Sequence, residues 1–280
     1  MSGALLHGFG LTIVSDLPVP GAVAAGPGAV PDLTIACIKG AEPAGALWRQ
    51  EGDAMIYAPA GVGIFRCTPN RIDVGLREGA DPSLAAELLV ANALPAVLWQ
   101  RGRFVLHAAA VVLPGMAGAI ALAGASGSGK SSLARALVGH RARLIGDDSI
   151  ALDGMIASGL PGGTFGAIHA DRTRAFLGVP ADRQAHSVPL AAIVVLGARG
   201  PASSFARADS ARAVELVLAQ RHRPGIATLL GRRREAFEAA VAIARAVPVL
   251  IWTRRAGATT LEAGEIDALA SLVGNEGWKK

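Results

Sequence analysis

The chain has little of several features that mark whole classes of protein. Its 280 residues include only two cysteines, Cys37 and Cys67, which show neither metal-ligand spacing nor a redox motif. The sequence therefore excludes a disulfide-stapled or zinc-cluster protein, and two reduced thiols are typical of a cytoplasmic one. Aromatic residues make up only 4% of the chain, so we expect no stacking platform for single-stranded nucleic acid.

Charged residues are also scarce, at 18%, but hydrophobic residues reach 51%, which excludes a disordered chain. The net charge is +5, yet the arginines are scattered and their tightest cluster is Arg232 to Arg234. This pattern predicts a basic surface suited to an acidic peptide or a nucleotide, and no nucleic-acid partner.

No uninterrupted apolar run is long enough to predict a membrane helix. The stretch Phe104 to Gly124 is almost wholly apolar, but Leu113-Pro114-Gly115 interrupts it and His107 lies within it. Two buried strands joined by a turn explain it better than a membrane span. The first residues lack the basic segment and apolar core of a secretion signal, so we expect a soluble cytoplasmic protein without a membrane partner.

Residues 1–80 are predicted to form a β-rich N-terminal domain, because turns rich in proline and glycine separate short β-like runs. The predicted strands are Leu11 to Val14, Leu33 to Ile38, Ala54 to Ala58, Gly63 to Cys67 and Arg71 to Val74. No catalytic constellation is found in this domain. We expect it either to support the fold or to dock a substrate.

Residues 81–102 are predicted to form a helical connector, with Ser83 as its N-cap and a kink at Pro95. Residues 103–280 alternate strands and helices, which predicts an α/β domain. The predicted strands are Phe104 to Leu113, Ala117 to Ala123, Arg143 to Gly146, Ser149 to Leu152, Ala191 to Leu196 and Val247 to Thr253. The predicted helices are Ser131 to Gly139, Arg212 to Gln220, Arg234 to Arg245 and Glu262 to Leu272.

One stretch fills every fixed position of the phosphate-binding loop, or P-loop: a glycine, four residues, then Gly-Lys-Ser. An apolar strand precedes it and a helix follows it, and its lysine is the only one between Lys39 and Lys279. Its backbone N–H groups and helix N-terminus would bind phosphate, the lysine would reach the β- and γ-phosphates, and the serine hydroxyl would ligate Mg²⁺. The predicted nucleotide-binding residues are Gly124, Ala125, Ser126, Gly127, Ser128, Gly129, Lys130, Ser131 and Ser132. The alternative is a turn rich in glycine and serine that fits the pattern by chance.

Two adjacent carboxylates, Asp147 and Asp148, end the strand after the P-loop helix. Carboxylate oxygen suits Mg²⁺, and side chains that alternate along a strand can both reach one site only where the strand ends. One aspartate would then hold Mg²⁺ while the other accepts the proton of an attacking hydroxyl. The alternative is a solvated Asp-Asp turn.

Two histidines, His107 and His222, have structural roles as well as functional ones open to them. His107 lies in an apolar run, where a lone histidine is more often a core residue hydrogen-bonded to the backbone. Arg221-His222-Arg223 follows a predicted helix, and we expect it to complement the helix dipole, with contact to an acidic peptide as the alternative.

Taken in order, the strand bearing His107, the GASGSGKSS stretch and RLIGDDSIAL resemble the catalytic domain of HPr kinase/phosphorylase. That family is a P-loop serine kinase related to phosphoenolpyruvate carboxykinase. The chain is most similar to the HPr-kinase-like proteins encoded with lasso peptide biosynthesis genes, some of which phosphorylate a serine of the precursor peptide. The resemblance implies an α/β P-loop kinase domain preceded by a small β-rich domain.

The resemblance also implies individual roles. Lys130 and Ser131 match the P-loop lysine and the serine that binds Mg²⁺. Asp147 matches the catalytic aspartate that takes the proton from the substrate serine, and Asp148 matches its neighbour at the metal. His107 matches a histidine close to the catalytic aspartate, which makes it a catalytic candidate together with Asp147 and Lys130.

One departure concerns the family's downstream signature, Glu-Ile-Arg-Gly-Leu-Gly, whose glutamate also serves Mg²⁺. The corresponding region, Leu160 to Asp171, has no glutamate. His169 or Asp171 could replace it, and a polar loop without metal contact is the alternative. This difference argues against the reverse phosphorylase reaction and against HPr as the substrate.

These observations predict an ATP- and Mg²⁺-dependent serine kinase that acts on a peptide, namely a lasso precursor peptide. One alternative is a regulatory kinase acting on a small HPr-like carrier protein. The other is a nucleotide-binding module that hydrolyses or holds ATP without a protein acceptor. By the same resemblance we expect the chain to self-associate.

Overall fold

A computed structural model describes residues 4–40, 45–168, 174–257 and 263–274. Within these ranges the chain forms an eight-stranded sheet, a nine-stranded sheet and a two-stranded hairpin. The class is mixed α/β, with a helical segment between the two large sheets along the chain.

The first sheet contains the strands between Ala4 and Leu76. They are β1 (Ala4–Gly8), β2 (Leu11–Ser15), β3 (Val23–Ala24), β4 (Leu33–Cys37), β5 (Trp48–Glu51), β6 (Ala54–Tyr57), β7 (Gly63–Thr68) and β8 (Arg71–Leu76). Their order is β3-β1-β2-β4-β8-β7-β6-β5, with β4 parallel to both β2 and β8. All five predicted strands are confirmed. The sequence analysis missed β1, β3 and β5, of which β3 has only two residues and β5 ends in polar side chains.

The helical segment runs from Pro82 to Gln100 in three parts. They are α1 (Pro82–Leu88), a π-helical turn (Leu89–Ala93) and α2 (Leu94–Gln100). The predicted N-cap at Ser83 is wrong, because the Asp81 side chain caps the helix by accepting the Ser83 N–H. Pro95 stands in the first turn of α2, where its missing N–H and its ring are tolerated. The segment is irregular as the predicted kink implied, but the irregularity is the π-helical turn Leu89–Ala93, which lies directly before α2.

By length and composition alone, this helical stretch could cross a membrane, but 67% of its apolar window is buried within the protein. Core helices of soluble proteins pass the same test, so the finding is weak evidence for a membrane segment. The other apolar run, Phe104 to Gly124, forms strands as predicted.

The second sheet and the elements around it begin at Phe104. The strands are β9 (Phe104–Leu106), β10 (Ala108–Val112), β11 (Ala119–Ala123), β12 (Arg143–Gly146), β13 (Ile150–Asp153), β14 (Ile156–Ser158), β17 (Val188–Gly200), β18 (Ser204–Arg207) and β19 (Val249–Arg255); β15 (Gly163–Ile168) and β16 (Arg174–Gly178) form the hairpin. The helices are α3 (Lys130–Gly139), α4 (Ser210–Ala219), α5 (Pro224–Leu229), α6 (Arg233–Ala246) and α7 (Ala263–Gly274), with a short 3-10 turn at Ala181–Arg183.

In this sheet the order is β12-β10-β11-β17-β14-β13-β9, and β19 lies between β17 and β18. The three strands β11, β17 and β19 are parallel. The four predicted helices are confirmed within a few residues, although the predicted start at Glu262 lies outside the described residues. The hairpin, β14, β18 and α5 were not predicted.

The prediction of one strand from Phe104 to Leu113 is wrong, because the strand is interrupted at His107. Before His107, β9 pairs with β13. After His107, β10 pairs with β11 and β12. The His107 N–H donates to the carbonyl of Gln220 at 2.7 Å instead of joining a ladder between strands. The break leaves the histidine side chain at a junction in the sheet.

A single apolar cluster runs through both sheets and the helical segment between them. It includes Phe65 and Ile72 of the first sheet, Val97 of α2, and Ala121 and Ile193 of the second sheet. A second cluster, containing Leu137 of α3, Trp252 of β19 and Leu269 of α7, covers the other face of the second sheet. The helical segment is therefore an internal packing layer, and the first sheet shares its core with the second.

Candidate functional site

The loop Gly124–Ser131 connects the buried strand β11 to helix α3. Gly124, Gly127 and Gly129 have φ values of 144°, 76° and 92°, which side chains rarely adopt. A Cβ atom added at Gly124 would also lie 2.9 Å from the Ser128 hydroxyl oxygen. The glycines are thus needed for the curl of the loop, and Gly129 is the N-cap residue of α3.

Lys130, the first residue of α3, is buried against this loop, with 7% of its surface exposed. Its Nζ donates to the carbonyl oxygens of Gly124 at 2.8 Å and of Ala125 at 3.2 Å. Burial lowers the pKa of this ammonium group, whereas the charges of Asp148 and Asp147 raise it. The loop therefore surrounds a desolvated positive charge.

Asp147 lies directly after β12 and is buried beside the loop. Its Oδ1 accepts the Ser131 hydroxyl at 2.8 Å, and its Oδ2 accepts the Phe165 N–H at 3.2 Å. Burial raises the pKa of this carboxyl group, and the hydrogen bond from Ser131 opposes the rise. Both oxygens are thus occupied by groups that fix the orientation of the carboxylate.

Asp148 has a left-handed backbone, with φ of 70°. This conformation is uncommon for a residue with a side chain, and aspartate is one of the few that tolerate it. The turn sends the two neighbouring carboxylates in different directions. The Oδ1 atom of Asp148 lies 3.5 Å from the Nε2 atom of His107, at the break between β9 and β10.

The loop, His107 and Asp148 border one cavity of about 370 Å³. Its lining residues are His107, Ser126, Gly127, Gly129, Lys130, Ser131, Ser132, Arg135, Asp148, Phe165 and Gly166. Asp147 is not among these described lining residues, and it contacts the cavity wall through Ser131 and Phe165. The structure thus gathers most of the predicted residues around one space, with Asp148 facing it and Asp147 behind it. The predicted loop residues Gly124, Ala125 and Ser128 are not among the lining residues.

Sequence reasoning missed Gln220 and misassigned His222, which both lie just after α4. The side-chain Oε1 of Gln220 accepts the Gly124 N–H at 2.8 Å. His222 is buried, so the predicted interaction with the helix dipole does not describe it. Arg221 fits that prediction, because its Nε donates to the Leu218 carbonyl in the last turn of α4 at 2.9 Å. Its Nδ1 lies 2.6 Å from the Ser149 hydroxyl, and its ring stacks on His107 with centroids 5.3 Å apart. Burial lowers the pKa of His222 to about 4.

Two arginines near the loop also gave no signal in the sequence, since neither belongs to a motif. Arg135 of α3 lines the cavity. Arg254 of β19 donates to the Ser128 carbonyl, and burial lowers the pKa of its guanidinium group. Together with Lys130 they surround the loop with positive charge, which suits an anionic ligand.

The donor set at the loop suits a magnesium ion that shares its coordination with phosphate. Ser131 and Asp147 supply oxygen atoms 2.8 Å apart, and the Ser128 hydroxyl is buried without a hydrogen-bond partner among the described residues. No group of three or more histidine, cysteine, aspartate or glutamate side chains in the described part of the chain could hold a metal ion. Mg²⁺ typically takes one or two carboxylates and completes its shell with water and substrate phosphates. His169 and Asp171, the predicted substitutes for the missing glutamate, lie outside the described residues.

No protein-family model and no curated protein matches the chain. Among solved structures, the HPr(Ser) kinase/phosphatase from Coxiella burnetii is similar to 61% of this chain over 87% of its own length. The sequences share 15% identity, and the TM-score is 0.33. Because both values are low, the function has to be inferred from the geometry of the site itself.

Proposed function

We propose that the chain is an ATP- and Mg²⁺-dependent kinase that transfers the γ-phosphate to a serine hydroxyl of a peptide. The observation that carries this proposal is the shared cavity. It places a glycine-rich loop and its buried Lys130 opposite the His107–Asp148 pair. The proposed nucleotide site and the proposed base would then face the same space, as phosphate transfer to a hydroxyl requires.

Phosphate would be held by the residues of the loop. Backbone N–H groups at the N-terminus of α3 and the loop are suited to phosphate oxygens. Lys130 would exchange its two carbonyl partners for phosphate oxygens and neutralise their charge. Ser131 and Asp147 would hold Mg²⁺, which when bound neutralises charge on the β- and γ-phosphates.

The geometry favours a division of roles between the aspartates that is the reverse of the one the resemblance implies. The Asp147 carboxylate is directed at Ser131, the expected metal ligand, and lies behind the cavity wall. The Asp148 carboxylate lines the cavity beside His107. We therefore propose Asp148 as the base and Asp147 as a partner of the metal.

In the proposed reaction the serine Oγ forms a bond to the γ-phosphorus of ATP. The bond between that phosphorus and the β–γ bridging oxygen breaks, and ADP leaves with the electron pair. The proton of the serine hydroxyl passes to the carboxylate of Asp148. His107, 3.5 Å from that carboxylate, would orient it.

The acceptor peptide is proposed to extend from the cavity into a neighbouring groove of about 300 Å³. Phe165 lines both spaces, so a chain with its serine at Asp148 can continue past this ring. The groove's other walls include Pro18 and Pro20 of the first sheet's loops, Pro82 of α1 and Phe176 of β16. Ser83 and Glu87 of α1 also line the groove, but most of its lining residues are apolar. We therefore propose that an apolar residue flanks the phosphorylated serine.

The test follows the label of γ-labelled ATP with Mg²⁺ in the presence of a lasso precursor peptide, an HPr protein, or no acceptor. Label on a peptide serine is the expected result. Label on HPr alone would indicate a regulatory kinase that acts on a carrier protein instead of a peptide. Release of free phosphate without any labelled acceptor would contradict the kinase proposal and leave a nucleotide-hydrolysing module.

A further inference from the structure

The segment Gln220–His222 runs alongside β9 and pairs with it through an isolated β-bridge. The His222 N–H donates to the Val105 carbonyl, and the His107 N–H donates to the Gln220 carbonyl, both at 2.7 Å. Between these bonds Leu106 and Arg221 form an isolated antiparallel bridge. The backbone of His107 is therefore held by this segment, more than 100 residues away along the chain.

The same segment contacts the loop and the helical connector. The Gln220 side chain accepts the first N–H of the loop, that of Gly124. The indole N–H of Trp99, on the helical connector, donates to the His222 carbonyl at 2.9 Å. The segment Gln220–His222 thus contacts the start of the loop, strand β9 before His107, and helix α2.

The imidazole of His222 adds side-chain contacts on both sides of the proposed base. Its Nδ1 is 2.6 Å from the hydroxyl of Ser149, which directly follows the left-handed Asp148. Its ring lies nearly parallel to that of His107, at an interplanar angle of 25°. His222 and Ser149 are 6% and 2% exposed, so losing either partner would leave a buried polar group unpaired.

We infer that His222 is a positioning residue: it holds the His107 ring and the Asp148–Ser149 turn in the geometry that phosphate transfer needs. This inference rests on the proposed function. His222 itself does not line the cavity among the described residues, so it acts through His107 and Ser149. If it were only a core residue, its replacement would lower stability and leave the turnover of the folded protein unchanged.

Three variants separate the two side-chain contacts. His222→Phe keeps a flat ring beside His107 and loses the bond to Ser149. His222→Asn keeps a polar atom near the position of Nδ1 and loses the stacked ring. Ser149→Ala removes the same hydrogen bond from its other end. Trp99→Phe is the matched control, because it removes a bond to the backbone of His222 and leaves the imidazole in place.

For folded protein, we expect His222→Phe and Ser149→Ala each to lower kcat by roughly 10- to 100-fold. This is the loss in rate that a small misplacement of the reacting groups causes. The KM for ATP should change less than about twofold, since the loop is untouched. The double variant His222→Phe with Ser149→Ala should have a kcat no lower than that of either single variant, because both changes remove the same hydrogen bond. His222→Asn should recover part of the loss, and Trp99→Phe should lower thermal stability without lowering kcat.

A readout that needs no transfer is the NMR spectrum of ¹⁵N-histidine-labelled protein at constant pH. His222→Phe and His222→Asn should move the ring signals of His107, and Trp99→Phe should not. Unmoved His107 signals, or wild-type kcat in folded His222→Phe, would overturn the inference. If the wild-type protein transfers no phosphate but the His107 signals move, the kinase proposal fails and the positioning contact stands.

Discussion

The two large sheets bury different kinds of side chain. In the first sheet and its loops, the described positions between residues 4 and 76 bury Ser15 and two groups that ionise only at high pH, Tyr57 and Cys67, whose pKa values burial raises further. The second sheet and its loops bury Lys130, Asp147, Ser149, Ser158, Thr164 and His222. Buried ionisable groups cost stability and are typical of functional sites. We therefore expect the first sheet to contribute packing and one wall of the proposed acceptor groove, and the second to carry the proposed chemistry.

The largest effect is expected from a substitution at Asp148, which lines the cavity. Asp148→Asn should lower kcat by roughly 10²- to 10⁴-fold, because it removes the proposed general base without changing its size. Phosphate transfer to the peptide at saturating Mg²⁺ is the measurement. Asp147→Asn is the matched control, and we expect it mainly to raise the Mg²⁺ concentration needed. The opposite outcome for the two variants would restore the assignment implied by the family resemblance.

A slightly smaller loss is expected at the loop. Lys130→Ala should lower kcat/KM for ATP by roughly 10²- to 10³-fold, the usual cost of removing one group that stabilises the charge of the transition state. Lys39→Ala offers a matched control, because this lysine is exposed at the end of a first-sheet strand. Equal activity of Lys130→Ala and the wild-type protein would show that the loop does not bind the transferred phosphate.

Whether a part of this site could be predicted from the sequence depends on how far apart its contacting residues lie along the chain. The loop and the two aspartates could be predicted because their chemistry is local: glycines that permit the curl, a lysine and a serine at fixed spacing, and acids at a strand end. Their contact with each other follows from the pairing of β12 with β10, beside β11.

The contacts of Gln220 and His222 could not be predicted, because they arise from tertiary packing of a segment with no motif of its own. The Gln220 side chain reaches Gly124, 96 positions earlier, and His222 reaches Ser149, 73 positions earlier. The interruption at His107 was missed for a related reason. An apolar run shows that strands are buried, but it does not reveal that neighbouring residues pair with different partners.

The buried His222 of the second region should also make stability depend on pH. Burial lowers the pKa of His222 from 6.5 to about 4, so between these values the unfolded chain binds more protons than the folded one. The free energy of unfolding should therefore fall as the pH is lowered through this window. At about 1.4 kcal/mol per pKa unit, the contribution of His222 is on the order of 3 kcal/mol.

Urea unfolding at several pH values checks this prediction. His222→Asn should show a shallower dependence on pH than the wild-type protein, and the difference between the two isolates His222. His7, whose pKa is lowered by burial and by His186, acts in the same direction in both proteins. Parallel pH profiles would show that His222 is not buried in its neutral form.

The proposed acceptor groove is lined by residues of both regions, so a variant there should affect peptide binding more than turnover. Phe176→Ala should raise the KM for the peptide by about tenfold, the usual effect of removing an aromatic contact residue. The KM for ATP should not change. Phe237→Ala, at an exposed phenylalanine on α6, is the control. An unchanged KM for the peptide would place the acceptor elsewhere.

The smallest predicted effect lies in the core of the first sheet. Ile72 on β8 is fully buried, so Ile72→Val should lower the free energy of unfolding by about 1 kcal/mol and leave kcat unchanged. Because one apolar cluster joins the first sheet, the connector and the second sheet, the loss should appear as a shift of a single unfolding transition. Two transitions, with only one of them shifted, would mean that the shared core does not couple the sheets. The first sheet would then be an independent domain that could be removed without unfolding the site.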